Sequence, residues 1–187
     1  MKTAIILHGK PSKEEYFNAK RDSQSNSHWL PWIQEQLLLK GVLAQTLEFP
    51  EPYEPIYEEW RKVFERCDVN EDTILIGHSC GGGFLVRWLS ENKVKVGRVV
   101  LVAPWLDPDH ELHTDFFNFE LDAEVPERVD KMIVFVSNDD DADIQTSVST
   151  LAAKWPNARI IKLESKGHFT FGDMGTREFP ELKEVLA

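Results

Sequence analysis

The sequence predicts an α/β fold, a three-layer α/β/α sandwich around about six mostly parallel strands. Apolar runs recur along the chain, and a run apolar on both sides suits a strand buried between two helical layers. The runs alternate with segments of helical spacing, the mark of crossover connections between parallel strands. The third observation is length. At 187 residues the chain is long enough for one well-cored domain and short for two. With no repeat or linker, residues 1–187 are expected to form a single domain.

Taken in order, Thr3–Leu7 reads as a buried strand running into His8-Gly9. Residues 10–28 are polar and read as a long surface loop with a helical turn near Glu14 to Phe17. Trp29 to Lys40 spaces Leu30, Ile33, Leu37 and Leu38 as a helix would, and Gly41 stops it. Val42–Phe49 is the second strand, closed by Pro50 and Pro52. Ile56–Cys67 is an amphipathic helix carrying Trp60, Val63 and Phe64. A third strand, Thr73 to Ile76, leads into a glycine-flanked serine and a helix reaching about Asn92.

Val99–Ala103 is the fourth strand. Residues 105–129 lack a clean period and are expected to form loops and short helices beside a pocket. Met132–Val136 is the fifth strand, followed by Ser137-Asn138 and a cluster of four aspartates, Asp139-Asp140-Asp141 and Asp143. Ile144 to Trp155 is helical, and Arg159–Leu163 is the sixth strand. Gly167-His168-Phe169, a polar loop and a helix near Pro180 to Leu186 complete the chain.

Composition excludes several roles. Hydrophobic residues make up 42% and charged residues 28%, as in a soluble globular protein. No apolar run approaches the roughly 20 residues that span a bilayer, and Met1–Gly9 is too short in apolar core for a secretory signal. The net charge of −11, with no basic cluster in the sequence to offset it, argues against nucleic acid and anionic membranes as partners. Two cysteines, Cys67 and Cys80, make no disulfide framework, so a cytoplasmic setting is expected.

The chemistry centres on Gly77-His78-Ser79-Cys80-Gly81. A serine at a sharp strand-to-helix turn, with glycines two residues either side, has the form of a nucleophile elbow. The turn strains the serine backbone, and side chains at the flanking positions would collide. It also sets the Cys80 N–H beside the serine oxygen, at the first helical turn. In a parallel sheet, reactive groups gather at the C-terminal strand ends. Three such ends carry, in order, Ser79, an aspartate near 140 and His168. His168 would take the Ser79 proton, and the aspartate would hold the imidazole. A second oxyanion N–H is expected from Lys10, with Gly9 permitting close approach.

Other candidates weigh less. His8 reads as a packing or hydrogen-bonding residue, and His78 as pointing away from the nucleophile. His110 and His113 read as solvent-facing, and the Cys80 thiol as packing. Asp139, Asp141 and Asp143 fit the first positions of a calcium loop. Ile144 and Thr150, however, replace its glycine and glutamate, so no metal or other cofactor is expected. Adjacent carboxylates repel, so some of this cluster must be exposed.

These residues resemble the small single-domain serine hydrolases typified by retinoblastoma-binding protein 9, within the α/β-hydrolase superfamily. The likeness rests on Ile-Leu-His-Gly at 6–9, His28-Trp29-Leu30-Pro31-Trp32, Phe49-Pro50, Trp60, Gly-His-Ser-Cys-Gly at 77–81, Leu-Val-Ala-Pro at 101–104, Ser137-Asn138-Asp139-Asp140 and Gly167-His168-Phe169. The resemblance implies a minimal, lidless, flavodoxin-like hydrolase core with a Ser-Asp-His triad. Counting forward from the fifth strand, its Ser-x-Asp-Asp element selects Asp140; counting back from His168 selects Asp141. Asp140 is favoured. Asp143 and Ile144 depart from the family's apolar residue and proline, and the 10–27 loop is longer than usual. His28-Trp29 reads first as a loop-to-helix anchor, with Trp29 and Trp32 in or near the core, and Trp29 secondarily as lining an acyl pocket.

The expected activity is hydrolysis of small carboxylic esters, or amides or thioesters, through an acyl-enzyme, in a shallow pocket formed by residues 10–27 and 105–129. Transfer to an acceptor other than water uses the same elbow. A catalytically weak protein-interaction module on this fold is the alternative. The partner expected is a small ester-type molecule, with no protein partner assigned.

Overall fold

A computed structural model describes residues 1–186. Six strands form one sheet in the order β2-β1-β3-β4-β5-β6, with every neighbouring pair parallel. The strands are β1 (Thr3–Leu7), β2 (Leu43–Leu47), β3 (Thr73–His78), β4 (Val96–Val102), β5 (Val129–Ser137) and β6 (Arg159–Leu163). The helices are α1 (Lys13–Tyr16), α2 (Leu30–Leu39), α3 (Tyr57–Phe64), α4 (Cys80–Glu91), α5 (Ala142–Lys154), α6 (Phe171–Met174) and α7 (Pro180–Val185).

The order decides where function can sit. From β1 the chain moves outward to β2, then returns to place β3 on the other side of β1. Right-handed crossovers then put α2 on one face and α3, α4 and α5 on the other; α7 packs beside α2. The reversal opens a crevice beyond the C-terminal ends of β1 and β3, the usual ligand position in such sheets. His8 to Lys10 and Ser79 emerge there.

Central β3 is buried along its whole length, which explains why Thr73 to Ile76 shows no alternation. Edge strand β6 is exposed or half-buried throughout. On the α3/α4 face, the Trp60 ring stacks on Phe49 with centroids 4.2 Å apart, and Phe64 packs edge-on to both Phe84 and Trp88. On the other face, Phe179 packs between Trp29, Phe135 and Phe169. Each fully buried large side chain contributes about 1.5–3 kcal/mol, so these aromatic clusters hold both helical layers to the sheet.

Several elements differ from expectation. β4 and β5 begin three residues earlier than their apolar runs, at Val96 and Val129. Gly97 interrupts the β4 pattern because the Glu71 carbonyl would lie 2.5 Å from a Cβ there. Leu38 is exposed on α2. Besides the expected helical turn, which is α1 with a Ser12–Glu15 capping box, the long polar loop contains a 3₁₀ turn at Gln24–Asn26. Past β6, the expected polar loop contains α6, held by a second capping box between Thr170 and Asp173.

Candidate active site

Ser79 sits between β3 and α4 with φ 52° and ψ −120°, a backbone region that L-residues adopt only under constraint. The glycines explain how the turn closes. A Cβ on Gly77 would meet the Gly81 carbonyl oxygen and Gly82 Cα at 2.7 Å. On Gly81 it would meet the His8 carbonyl oxygen at 2.3 Å and Leu7 Cβ at 2.9 Å. α4 therefore starts in contact with the end of β1. Gly9 is also close, with Ser79 Cβ 3.1 Å from where its Cβ would be.

His168 is positioned by the turn after β6. Gly167 has φ +50°, and Asp173 would clash with any side chain there. Asp173 Oδ2 accepts from the His168 N–H at 3.0 Å, and Asp139 Oδ1 accepts from the Gly167 N–H at 3.0 Å. Ser165 and Lys166 N–H groups bond to Asn138 Oδ1 and Ser137 Oγ, at 3.0 and 2.9 Å. The Ser-Asn-Asp-Asp segment thus serves as a cradle for the histidine loop.

Of the two aspartates left open by the sequence, Asp140 meets His168, with Oδ1 2.9 Å from Nδ1. Its side chain is 1% exposed against 28% for His168. Asp140 Oδ1 also accepts the Asp141 N–H at 2.8 Å, while Asp141 is exposed and immediately precedes α5. Burial alone would lower the His168 pKa. The hydrogen bond and charge of Asp140, with Asp141 and Asp143 beyond it, outweigh burial and raise it above the ordinary histidine value.

The cysteine reading is met: Cys80 is buried, and burial pushes its thiol far up, away from the thiolate. His110 and His113 are exposed. His8 is a hydrogen-bonding residue, with Nδ1–H donating to the Gly9 carbonyl at 2.8 Å and Nε2 accepting from Phe49 N–H at 3.1 Å. Both bonds fix a neutral tautomer, and burial lowers its pKa. Trp29 packs against His78 and Phe179 as a core anchor.

His78 has a role that the sequence did not show. Its ring lies 5.1 Å from that of His168, and Nε2–H donates to the His168 carbonyl at 2.8 Å. The ring is buried, so it needs a partner, and the histidine loop supplies one. Burial, with His168 and His28 nearby, holds its pKa well below the ordinary value. The residue preceding Ser79 therefore ties His168 to the end of β3. His28, expected as part of a loop-to-helix anchor, adopts φ 57°, and its Nδ1 accepts from the Phe171 N–H at 3.1 Å.

Two cavities meet at Ser79. The larger, about 720 Å³, is bounded by residues 8–28 on one side and 168–177 on the other. The smaller, about 160 Å³, is lined by Trp105, Glu111, Asp141, Asp143 and Ile144. Ser79, Lys10 and His168 line both. Residues 105–129 thus border only the small cavity, through Trp105 and Glu111, because α6 and the turn before it take the place expected for them beside the large one. No helix among the described residues is long and apolar enough to cross a membrane.

A serine hydrolase family model matches residues 20–187. The chain is 26% identical over 181 residues to YdeN of Bacillus subtilis (strain 168), a protein named as a hydrolase, with 94% of this chain and 95% of that one covered. The crystal structure of the B. subtilis ydeN gene product superposes with a TM-score of 0.83 at 27% identity, covering 100% and 97% of the two chains. The esterase domain of a Rhodothermus marinus protein shares the fold, with a TM-score of 0.67 at 16% identity over 99% and 84%.

Proposed function

The chain belongs to the serine hydrolase family, and on that premise we propose that it cleaves small carboxylic esters through a Ser79–His168–Asp140 triad and an acyl-enzyme. One observation carries the reading: His168, backed by the buried Asp140 at 2.9 Å, borders the same two cavities as a serine held at φ 52°.

Neutral His168 accepts the Ser79 proton as Oγ bonds to the acyl carbon. Asp140, on Nδ1, leaves Nε2 as the accepting nitrogen and stabilises the imidazolium that forms. Charge developing on the carbonyl oxygen falls to the backbone N–H groups of Cys80 and Lys10. The tetrahedral species collapses as His168 returns the proton to the departing alkoxide. Water then attacks the acyl-enzyme by the same route, releasing the acid and restoring Ser79. Amides and thioesters, or an acceptor other than water, would follow the same steps. The finer likeness to retinoblastoma-binding protein 9, as a single domain over residues 1–187, rests on the His-Trp-x-Pro-Trp and Ser-x-Asp-Asp elements.

The test is labelling by a fluorophosphonate probe. Wild-type protein is expected to take up one equivalent, and Ser79→Ala none. Equal labelling of the two proteins, or none of the wild type together with no turnover across p-nitrophenyl esters, refutes the proposal and leaves the interaction-module reading.

A further inference from the structure

We propose that the substrate carries an anionic group, a carboxylate or phosphate, that lies in the larger cavity while a small uncharged group occupies the smaller one. This rests on the hydrolase reading above and adds the chemistry of the substrate.

The protein as a whole carries −11, yet the larger cavity is lined by Lys10, Lys20, Arg21 and Arg177 against only Glu15 and Asp22. Both carboxylates are spent on the arginines: Arg21 lies 3.1 Å from Glu15, and Arg177 pairs with Asp22. Among the described residues Lys10 and Lys20 have no ion-pair partner. The cavity therefore has two cations in excess, which the sequence does not reveal because residues 10, 20, 21 and 177 are scattered. Arg177 also donates to the Asn26 carbonyl at 2.9 Å, tying the two walls together.

His28 adds a neutral donor to the same wall. Its Nδ1 accepts from Phe171, so the proton of the neutral ring is on Nε2. Burial, His168 and Arg177 hold its pKa down at about 4, so it stays neutral at physiological pH.

The small cavity has the opposite sign, with Glu111, Asp141 and Asp143 against Lys10 alone. An anion is repelled there and attracted to the other side of Ser79. At about 160 Å³, it suits a small group without negative charge.

The experiment compares two pairs of esters at low salt. In p-nitrophenyl hemisuccinate and its methyl ester, the charge is on the acyl side; in 4-acetoxybenzoate and its methyl ester, it is on the alcohol side. In one pair kcat/KM for the anion is expected to exceed that of the neutral ester by about tenfold, with the preference shrinking in 0.5 M salt. Lys20→Glu, at an exposed position, is expected to lower that ratio by about tenfold. The responding pair identifies the side that bears the charge. A ratio of one or less in both pairs, or a ratio unmoved by Lys20→Glu, overturns the proposal. Equilibrium binding of the same four compounds to Ser79→Ala, followed by NMR, separates this from the parent reading. Anion-selective binding without wild-type turnover would sink the hydrolase and keep the subsite; turnover without anion preference would do the reverse.

Discussion

Replacing Asp140 with asparagine tests how much of the chemistry depends on one buried carboxylate. Asp140 Oδ1 lies 2.9 Å from His168 Nδ1, and its side chain is 1% exposed, so water cannot substitute for it. A hydrogen bond to a charged group is worth about 1.5–3 kcal/mol, and the charge pair about 1–4 kcal/mol at effective dielectrics between 80 and 20. The imidazolium formed in the transition state therefore loses about 2–4 kcal/mol, or about thirty- to a thousandfold in rate. Asparagine can also turn its amide N–H toward Nδ1 and select the wrong tautomer, a loss of about ten-thousandfold in serine proteases. The expected fall in kcat/KM on p-nitrophenyl acetate is thus about a hundred- to ten-thousandfold. The pH profile supplies an independent readout. In the wild type, activity should fall as pH drops through a His168 pKa raised above 6.5, because only the neutral ring accepts the proton. In Asp140→Asn, burial is opposed only by Asp141 and Asp143, so the acid limb moves to lower pH. Activity within threefold of wild type, or a larger loss in Asp141→Asn than in Asp140→Asn, would refute this reasoning.

Gly81→Ala should destabilise the protein by about 1–3 kcal/mol, read from urea midpoints, because the new Cβ falls 2.3 Å from the His8 carbonyl oxygen and backbone must move; an unchanged midpoint would mean that α4 does not abut β1 as described. His28→Gln should flatten the acid dependence of stability. The unfolded imidazole binds a proton near pH 6.5, while the folded one resists until about 4, so His28 stability is full above 6.5 and lost as pH falls between those values. That loss is about 3 kcal/mol for His28 alone. His8 and His78 act in the same direction, and His168, whose pKa is raised, in the opposite one. Equal shifts in urea midpoint between pH 7 and pH 4.5 for variant and wild type would contradict the assignment.

The sheet was readable because its centre is buried on both sides, so β1, β3 and the core of β5 are unbroken apolar runs. Strand ends were not, since Gly97 looks like a breaker until the Glu71 carbonyl is found against it. Ser79 and His168 could be picked out because each stands beside glycines that only a sharp turn requires. Asp140 was ambiguous against Asp141 for a physical reason: adjacent carboxylates have the same composition and differ only in which one the start of α5 turns inward. Of the large cavity only the wall from the 10–27 loop was readable. Its walls come from residues 8–28 and 168–177, joined by Arg177 to Asp22 and the Asn26 carbonyl, and nothing in a linear pattern pairs segments about 150 residues apart. The ring partners of His78 and His28 were not readable, because a histidine's role depends on the partner its ring finds.

Under the proposed triad, those two residues bear on how a single base is selected. Four histidines border the large cavity: His8, His28, His78 and His168. Burial opposes protonation in all four, and in the first three it prevails. Their rings are committed as well, His8 to Gly9 and Phe49, His28 to Phe171, and His78 to the His168 carbonyl. Only His168 has a buried carboxylate behind it, and only there does the charge outweigh burial. Proton affinity is thereby concentrated on one ring beside Ser79, while the neighbouring rings stay neutral and fix its position. An extra positive charge on His28 or His78 would lower the His168 pKa through like-charge repulsion, so keeping them neutral preserves the base strength that Asp140 confers. Position and basicity of His168 thus have separate sources, which is why a His78 variant should lower kcat without moving the acid limb, whereas an Asp140 variant moves both.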